Sequence, residues 1–185
     1  MLIFNQQVFL ANGEMKMIRS LLIAGLVMLL PACSSDPVQP PPPPPTVVEL
    51  QIEAGADVNA DNAGNGAPIM LRLYELRESD SFNTADFFAL FDQEQVTLSA
   101  DLARKQQFLL KPGETKKLSL QPDDDVHSLG FFAAFRQLDS AQWRGLAEVT
   151  IHQTQGYKIL LNANRLNIEK INLPQPPKPD AEDED

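Results

Sequence analysis

Six consecutive prolines, Pro40 to Pro45, divide this chain into two parts of very different length. Proline fixes φ at about −65° and has no amide hydrogen, so a run of prolines fits neither a helix interior nor a central strand. The run is therefore predicted to be an extended polyproline II segment that acts as a stalk. At roughly 3.1 Å per residue, the stretch from Asp36 to Pro45 would span about 30 Å.

The segment before the stalk has the pattern of a secretory signal. The stretch Ser20 to Leu30 (SLLIAGLVMLL) is apolar and uncharged, and Lys16 and Arg19 precede it. A basic start, a short apolar stretch and small residues at its end are typical of a signal peptide. The apolar stretch is also too short for a membrane span, which needs about 20 residues. We therefore predict that residues 1–32 are a signal peptide.

The only cysteine of the chain, Cys33, follows this signal directly. The tetrapeptide LPAC that ends at Cys33 resembles the lipobox of bacterial lipoproteins, in which the cysteine receives a diacylglyceryl thioether and becomes the first mature residue. Several acyl chains anchor a protein stably where one binds only marginally. With Cys33 lipidated, no thiol remains for a disulfide. A prefix of 14 residues that ends in the acidic Glu14 precedes the basic start, so translation is expected to begin at Met15 or Met17.

The remaining chain is predicted to contain one domain between two extended segments. Residues 33–45 would form the lipidated N-terminus and the proline-rich stalk. Residues 46–173 are enough for one hydrophobic core and too few for two domains. Residues 174–185 are rich in proline and then acidic (DAEDED), with no large apolar side chain to pack. Such a composition predicts a disordered tail.

Short runs of alternating apolar and polar residues indicate a mainly β domain. The alternation is clear over Val48–Ala54 and Ile69–Leu73, and in a third run Leu129, Phe131, Ala133 and Phe135 fall on one face, with Gly130 and Ala134 on the other. Turn residues separate such runs, including Pro112-Gly113 and Asn162-Ala163-Asn164. Seven or eight short strands with close turns predict an antiparallel β-sandwich.

One stretch departs from the strand pattern and predicts a small helical insertion between the second and third strands. Asn83–Asp86 offers a cap and an acidic first turn for a helix over Phe87–Phe91. Ser99 is expected to cap a second short helix, from Ala100 to about Lys105. The phenylalanines are expected to pack this insertion against the sandwich rather than to form a ligand cage.

Charge and motifs exclude several classes of function. The chain carries 15 basic and 25 acidic residues, a net charge of −10, which argues against nucleic acid and against electrostatic binding to anionic lipid. Of the two histidines, His127 follows the acidic run Asp123–Asp125 without metal-ligand spacing, and His152 is expected on a strand facing solvent. No phosphate loop, zinc-protease motif or serine-nucleophile motif is present. Neither an enzyme nor a metal or cofactor site is expected.

The connection between the first two strands is the candidate binding segment. Asn59 to Pro68 (NADNAGNGAP) is longer than a tight hairpin turn and rich in Gly, Asn and Asp. Long loops on rigid sandwiches commonly carry function. A plain flexible connector is the alternative that these residues leave open.

Several segments together resemble the TssJ lipoprotein family of the type VI secretion system. Their order along the chain is the specific feature, since each alone is weak. They are the lipobox ending at Cys33, VELQIEAGADVNAD (Val48–Asp61), PIMLRLYEL (Pro68–Leu76), ADFFALFD (Ala85–Asp92), the PGE turn (Pro112–Glu114) and LGFFAAFRQLDSAQWR (Leu129–Arg144).

This resemblance implies a transthyretin-like sandwich and an outer-membrane lipoprotein of the type VI membrane complex, held on the periplasmic side. Ser34 after the lipidated cysteine favours the outer membrane by the general sorting rule for lipoproteins. The implied partner is the periplasmic domain of the inner-membrane protein TssM. Its implied contact loop comprises Asn59, Ala60, Asp61, Asn62, Ala63, Gly64, Asn65, Gly66, Ala67 and Pro68.

Two alternative functions remain open on the sequence. One is a periplasmic ligand-binding or cell-wall-binding lipoprotein, which needs a concave aromatic or polar pocket. The other is a transthyretin-like hydrolase, which needs several histidines and a C-terminal Tyr-Arg-Gly segment. This chain instead ends in DAEDED.

Overall fold

Two four-stranded sheets pack face to face in the computed structural model, which describes residues 40–61 and 63–173. The predicted signal peptide, Cys33, Asn62 and the acidic tail 174–185 lie outside the described residues, as does the part of the predicted stalk before Pro40. The prediction of a mainly β chain is confirmed, while the transthyretin-like topology stays a prediction. The strands are β1 (Val47–Ala54), β2 (Ile69–Leu76), β3 (Leu102–Leu110), β4 (Thr115–Leu120), β5 (Ser128–Ala133), β6 (Arg144–Glu148), β7 (Thr154–Asn162) and β8 (Arg165–Ile171).

Sheet A has the strand order β4-β1-β7-β8, and sheet B has the order β3-β2-β5-β6. Among the eight strands of the described residues, every strand pair is antiparallel except β1 with β7, which run parallel. The expected antiparallel arrangement is therefore corrected for this pair. The reason is that the chain enters β7 beside the start of β1, where the Val47 amide donates to the Gln153 carbonyl (3.0 Å). Strands that enter a sheet at the same end run in the same direction.

The main core lies between the two sheets and follows from the alternation in the sequence. On β1, Val48, Leu50 and Ile52 are buried, while the residues between them are only partly covered. They face inward side chains of sheet B such as Leu71 and Phe131. Burying one such aliphatic side chain contributes roughly 1.5–3 kcal/mol, so this face dominates the stability of the domain.

A second core forms where a helical insertion covers the outer face of sheet B. Strand β2 is buried on both faces over its second half, because Tyr74 and Leu76 point away from the sandwich and contact Phe82, Leu90 and Leu98. The insertion contains α1 (Asp80–Thr84), α2 (Phe87–Asp92), α3 (Glu94–Leu98) and a 3₁₀ turn (Ser99–Asp101).

Side chains of sheet B hold the insertion through the carbonyl oxygens at its helix ends. The Arg72 guanidinium donates to the carbonyls of Leu90 and Phe91 (both 2.9 Å) and pairs with Glu94. The Arg144 guanidinium donates to the carbonyl of Ala85 (2.7 Å), just after α1. The last carbonyls of a helix lack internal partners, so these arginines satisfy them.

The structure confirms one predicted helix of the insertion and corrects the other. The carboxylate of Asp86 accepts from the Ala89 amide (2.8 Å) and caps α2 as expected. Residues from Leu102 to Lys105 are not helical but begin β3. Their backbone pairs with the end of β2, where Lys105 lies opposite Tyr74, and this long-range pairing overrides the local capping signal.

The residues just before Thr46, where the chain enters the sandwich, and the β1–β2 connection lie at opposite ends of the sandwich. Strand β1 has eight residues, so its first and last residues are about 23 Å apart at roughly 3.3 Å per step. At the stalk end, Thr46 is buried, and its hydroxyl accepts from the His152 amide (2.9 Å). The imidazole of His152 also lies 3.1 Å from the Pro44 carbonyl. The other end, where β1 runs out at Ala54, is called the loop end below.

Candidate partner-binding loop

The predicted loop is the outer part of a longer connection that spans residues 55–68. Both of its roots are packed into the domain, because Val58 and Ala67 are buried and the Ala67 amide donates to the Val58 carbonyl (2.9 Å). Loss of alternation after Ala54 is the sequence signal for this earlier start. The rigid roots leave a short tip as the part free to contact a partner.

Asn59 acts as a brace between three connections of the loop end. It is 6 % exposed and has a φ of 51°, a left-handed conformation that Asn adopts more readily than most residues. Its side-chain amide donates to the Pro68 carbonyl (2.9 Å), and its side-chain oxygen accepts from the Arg136 amide (2.8 Å). Its backbone amide donates to the Ala163 carbonyl (2.7 Å). The side chain is thus engaged within the domain rather than presented to solvent.

Asp61 organises the tip. One carboxylate oxygen accepts from the amides of Ala63 (2.8 Å) and Asn65 (2.9 Å), and the Asp61 amide donates to the Asn65 carbonyl (2.9 Å). Hydrogen bonds from Asn65, with a further one from Ala63, hold the pKa of the Asp61 carboxyl below its ordinary value of 3.8. The carboxylate is therefore ionised at neutral pH and closes the tip into a compact turn.

Two glycines are required in the tip for different reasons. Gly64 has a φ of 82°, which is costly for other residues, although a Cβ there would meet no described atom within 4 Å. A Cβ on Gly66 would lie 2.1 Å from the Ala56 carbonyl oxygen, closer than atoms can approach. The first glycine thus permits a backbone conformation, and the second permits a close approach of two backbone segments.

The exposed surface of the tip is small and polar. Ala63, Gly64 and Asn65 are exposed, as is Pro68, while Ala60 and Gly66 are half-buried. In the described part of the tip, a partner would therefore meet mainly backbone groups and one side-chain amide.

A cavity of about 160 Å³ opens beside the loop. The loop forms one wall, and the β5–β6 connection and the β7–β8 turn form the others. Its lining residues are Asn59, Ala60, Phe135, Gln137, Ala163 and Asn164. The sequence predicts the β7–β8 turn but places neither it nor Phe135 beside the loop, because only tertiary structure brings the three connections together.

The chemistry-bearing residues found in the sequence do not converge. His127 is exposed after the acidic run, and His152 lies in the turn before β7 with a φ of 60°, so its predicted place on a strand is wrong. Over residues 40–61 and 63–173, no three His, Cys, Asp or Glu side chains are grouped as metal ligands. In the same described ranges, no helix has the length and apolar character needed to cross a membrane.

Comparison with known proteins identifies the family. The family model described as type VI secretion lipoprotein (VasD, EvfM, TssJ) matches residues 46–164. A search of curated protein sequences finds no match.

Several solved structures share the fold over nearly their whole length. The lipoprotein TssJ1 from Pseudomonas aeruginosa is 40% identical, with a TM-score of 0.69 over 71% of this chain and 100% of its own. Serratia marcescens Lip, a membrane-bound component of the type VI secretion system, is 28% identical, with a TM-score of 0.62 over 68% of this chain and 99% of its own. A chain in a structure described as a type VI membrane complex is 25% identical, with a TM-score of 0.59 over 67% of this chain and 98% of its own. The family match covers most of the domain that the stalk precedes, and the chain therefore belongs to the TssJ family of type VI secretion lipoproteins.

Proposed function

We propose that this protein is the outer-membrane lipoprotein of a type VI secretion membrane complex and binds the periplasmic domain of a TssM-type inner-membrane protein. A lipid on Cys33 would hold the chain on the periplasmic face of the outer membrane. The loop Asn59 to Pro68 of the β1–β2 connection would contact the partner, mainly through its exposed residues. The role is one of anchoring and binding, without a catalytic step.

The observation that carries this proposal is the placement of stalk and loop at opposite ends of one rigid sandwich. The chain enters the domain at Thr46, and β1 leads directly from there to the loop end. A domain tethered through its stalk can therefore present the loop away from the membrane that holds the tether. That direction suits a partner rooted in the opposite membrane.

The internal order of the loop also supports a binding role. Fixing one residue of a flexible chain costs roughly 1–2 kcal/mol, so an unstructured Gly-rich segment would bind weakly. Here the Asp61 carboxylate and the Asn59 brace already hold most of the loop in one conformation. A pre-ordered tip loses less entropy on binding.

The choice of partner is supported by the structures of relatives. One similar chain is found in a structure described as a type VI membrane complex, at 25% identity. Another structure with a matching chain is described as that of the TssM C-terminal domain from EAEC; the matching chain is 23% identical with a TM-score of 0.56, which establishes the shared fold. A TssM-type partner for this chain rests on these descriptions together with its membership of the family.

The test is a shortened loop. The Asp61 amide and Asn65 carbonyl are 2.9 Å apart, so residues 61–65 can be replaced by Asn-Gly while Asn59 and Gly66 are kept. The variant should keep its circular dichroism spectrum and lose binding to the purified periplasmic domain of the TssM-type partner. A folded variant that binds as tightly as the parent would place the contact elsewhere. Separately, Cys33→Ser should release the protein from the outer-membrane fraction.

A further inference from the structure

The loop tip has polar groups but no large apolar side chain among its described residues. Protein interfaces usually centre on a few aromatic or aliphatic side chains that become fully buried, surrounded by polar contacts. The exposed tip residues Ala63, Gly64 and Asn65 cannot supply such an anchor. If this end of the domain binds a partner, a neighbouring surface has to provide it.

The outer face of sheet B carries an apolar row at the loop end, in which Met70 and Ala134 are partly buried and Leu109 is exposed. Met70 and Leu109 lie opposite each other on β2 and β3, and the Ala134 amide donates to the Met70 carbonyl (2.9 Å). The next row toward the stalk contains Arg72 and Phe132, and the helical insertion covers it. Because the insertion stops there, Leu109 is 71 % exposed.

Aromatic residues of α2 lie over the neighbouring row, that of Arg72 and Phe132. Phe91 is 37 % exposed, and its ring centre lies 5.4 Å from the guanidinium carbon of Arg72. Phe88 is 63 % exposed. The ring of Phe87 joins the two, with centroids 5.6 Å from Phe91 and 5.4 Å from Phe88. We name the surface formed by Met70, Leu109, Ala134, Phe88 and Phe91 the apolar ledge.

The ledge is continuous with the proposed binding loop. Strand β3 runs from Leu109 into the turn at Pro112 and Gly113, and the Gly113 amide donates to the Ala54 carbonyl (2.9 Å) at the end of β1. A Cβ on Gly66 would lie 3.2 Å from Pro112, so this turn packs directly against the loop. A partner large enough to cover the tip would reach the ledge across the same turn.

We propose that the apolar ledge is the anchor of the interface whose polar part is the loop, and that both contact the same inner-membrane partner. This inference rests on the proposed function above. The occupant is an apolar patch on the partner's periplasmic domain, bordered by Lys or Arg side chains. Basic neighbours would complement the exposed Asp86 and Asp92, which flank the phenylalanines of α2, on a chain with a net charge of −10.

The experiment compares ledge variants with a matched variant at the opposite end. Leu109→Asp and Phe88→Asp place a charge in the ledge, while Ile151→Asp does so at the stalk end, where Ile151 is 38 % exposed. Binding of the purified TssM-type periplasmic domain is measured by calorimetry. Ledge variants should bind at least about tenfold more weakly, as expected for interface anchors, and Ile151→Asp should bind within about twofold of the parent.

The outcomes separate this inference from the function on which it rests. Loss of binding in the shortened loop together with full binding in both ledge variants would overturn the ledge and leave the proposed function intact. Full binding in all three would overturn the ledge and the loop as contact surfaces but not the partner, whereas a parent protein that does not bind the TssM-type domain would overturn the proposed function. If the parent self-associates in light scattering and Leu109→Asp abolishes only that self-association, the ledge serves a second copy and the proposal is wrong. Should Leu109→Asp fail to fold, Leu109→Ser decides by the same criteria.

Discussion

Replacing Asn59 by Ala should destabilise the whole loop end, because the structure makes this residue a brace. The substitution removes two side-chain hydrogen bonds, one to the Pro68 carbonyl and one from the Arg136 amide. Each such bond contributes roughly 0.5–1.5 kcal/mol, and a buried group left without a partner costs about 1–3 kcal/mol. Allowing for relaxation and water entry, we expect a loss of about 2–4 kcal/mol in the free energy of unfolding.

The backbone contribution can be separated with a second variant. Asn59 has a φ of 51°, which glycine adopts without strain and alanine does not. Asn59→Gly should therefore be less destabilised than Asn59→Ala, by about 0.5–1 kcal/mol. As a control, Asn65→Ala at the exposed tip should change the free energy of unfolding by less than about 0.5 kcal/mol.

Urea denaturation followed by circular dichroism measures these differences. The thermal midpoint of Asn59→Ala should fall by roughly 5–15 °C, since each kcal/mol shifts a domain of this size by a few degrees. An Asn59→Ala variant that unfolds at the parental urea concentration but no longer binds the partner would refute the brace. Asn59 would then be a direct contact, as the resemblance implies.

Four further substitutions test the loop and one buried carboxyl. Asp61→Ala should weaken partner binding with little effect on global unfolding. The pKa of the Asp61 carboxyl is lowered in the folded state. The stabilisation that its carboxylate gives the loop is therefore present above the ordinary pKa of 3.8 and is lost only as the pH falls through the lower pKa of the folded state. Binding should thus be constant between about pH 5 and 8 on this account. Gly66→Ala should lower the urea midpoint of unfolding more than Gly64→Ala. The methyl group of Gly66→Ala would clash with the Ala56 carbonyl, whereas Gly64→Ala adds only backbone strain of roughly 1–2 kcal/mol. Equal effects of the two variants would contradict the close approach of Gly66 to Ala56. Burial raises the pKa of the Glu75 carboxyl above its ordinary value of 4.5. The free energy of unfolding should therefore fall as the pH rises from 4.5 through the pKa of the folded state, because the charged carboxylate opposes folding. Urea titrations at several pH values should show that Glu75→Gln removes this fall.

Local sequence patterns were sufficient for the elements whose structure depends on near neighbours. The alternation over Val48–Ala54 predicts β1 because side chains alternate between the two faces of any strand. Asp86 predicts the start of α2 because capping involves an amide only three residues away. The turn between β7 and β8 falls where Asn162-Ala163-Asn164 predicts it, although the positive φ belongs to Ala163. The family resemblance is likewise carried by segments read in order along the chain.

Tertiary structure decided the features that depend on distant partners. The parallel pairing of β1 with β7 and the strand over Leu102–Lys105 each require a neighbour far away in the sequence. Asn59 reads as a loop residue, yet its hydrogen bonds to Arg136 and Ala163 make it part of the framework. The sequence by itself thus determined the export signal pattern, the mainly β character and the existence of the loop. The fold alone decided that stalk and loop lie at opposite ends and that an apolar ledge adjoins the loop, because strand order and register set which residues share a surface.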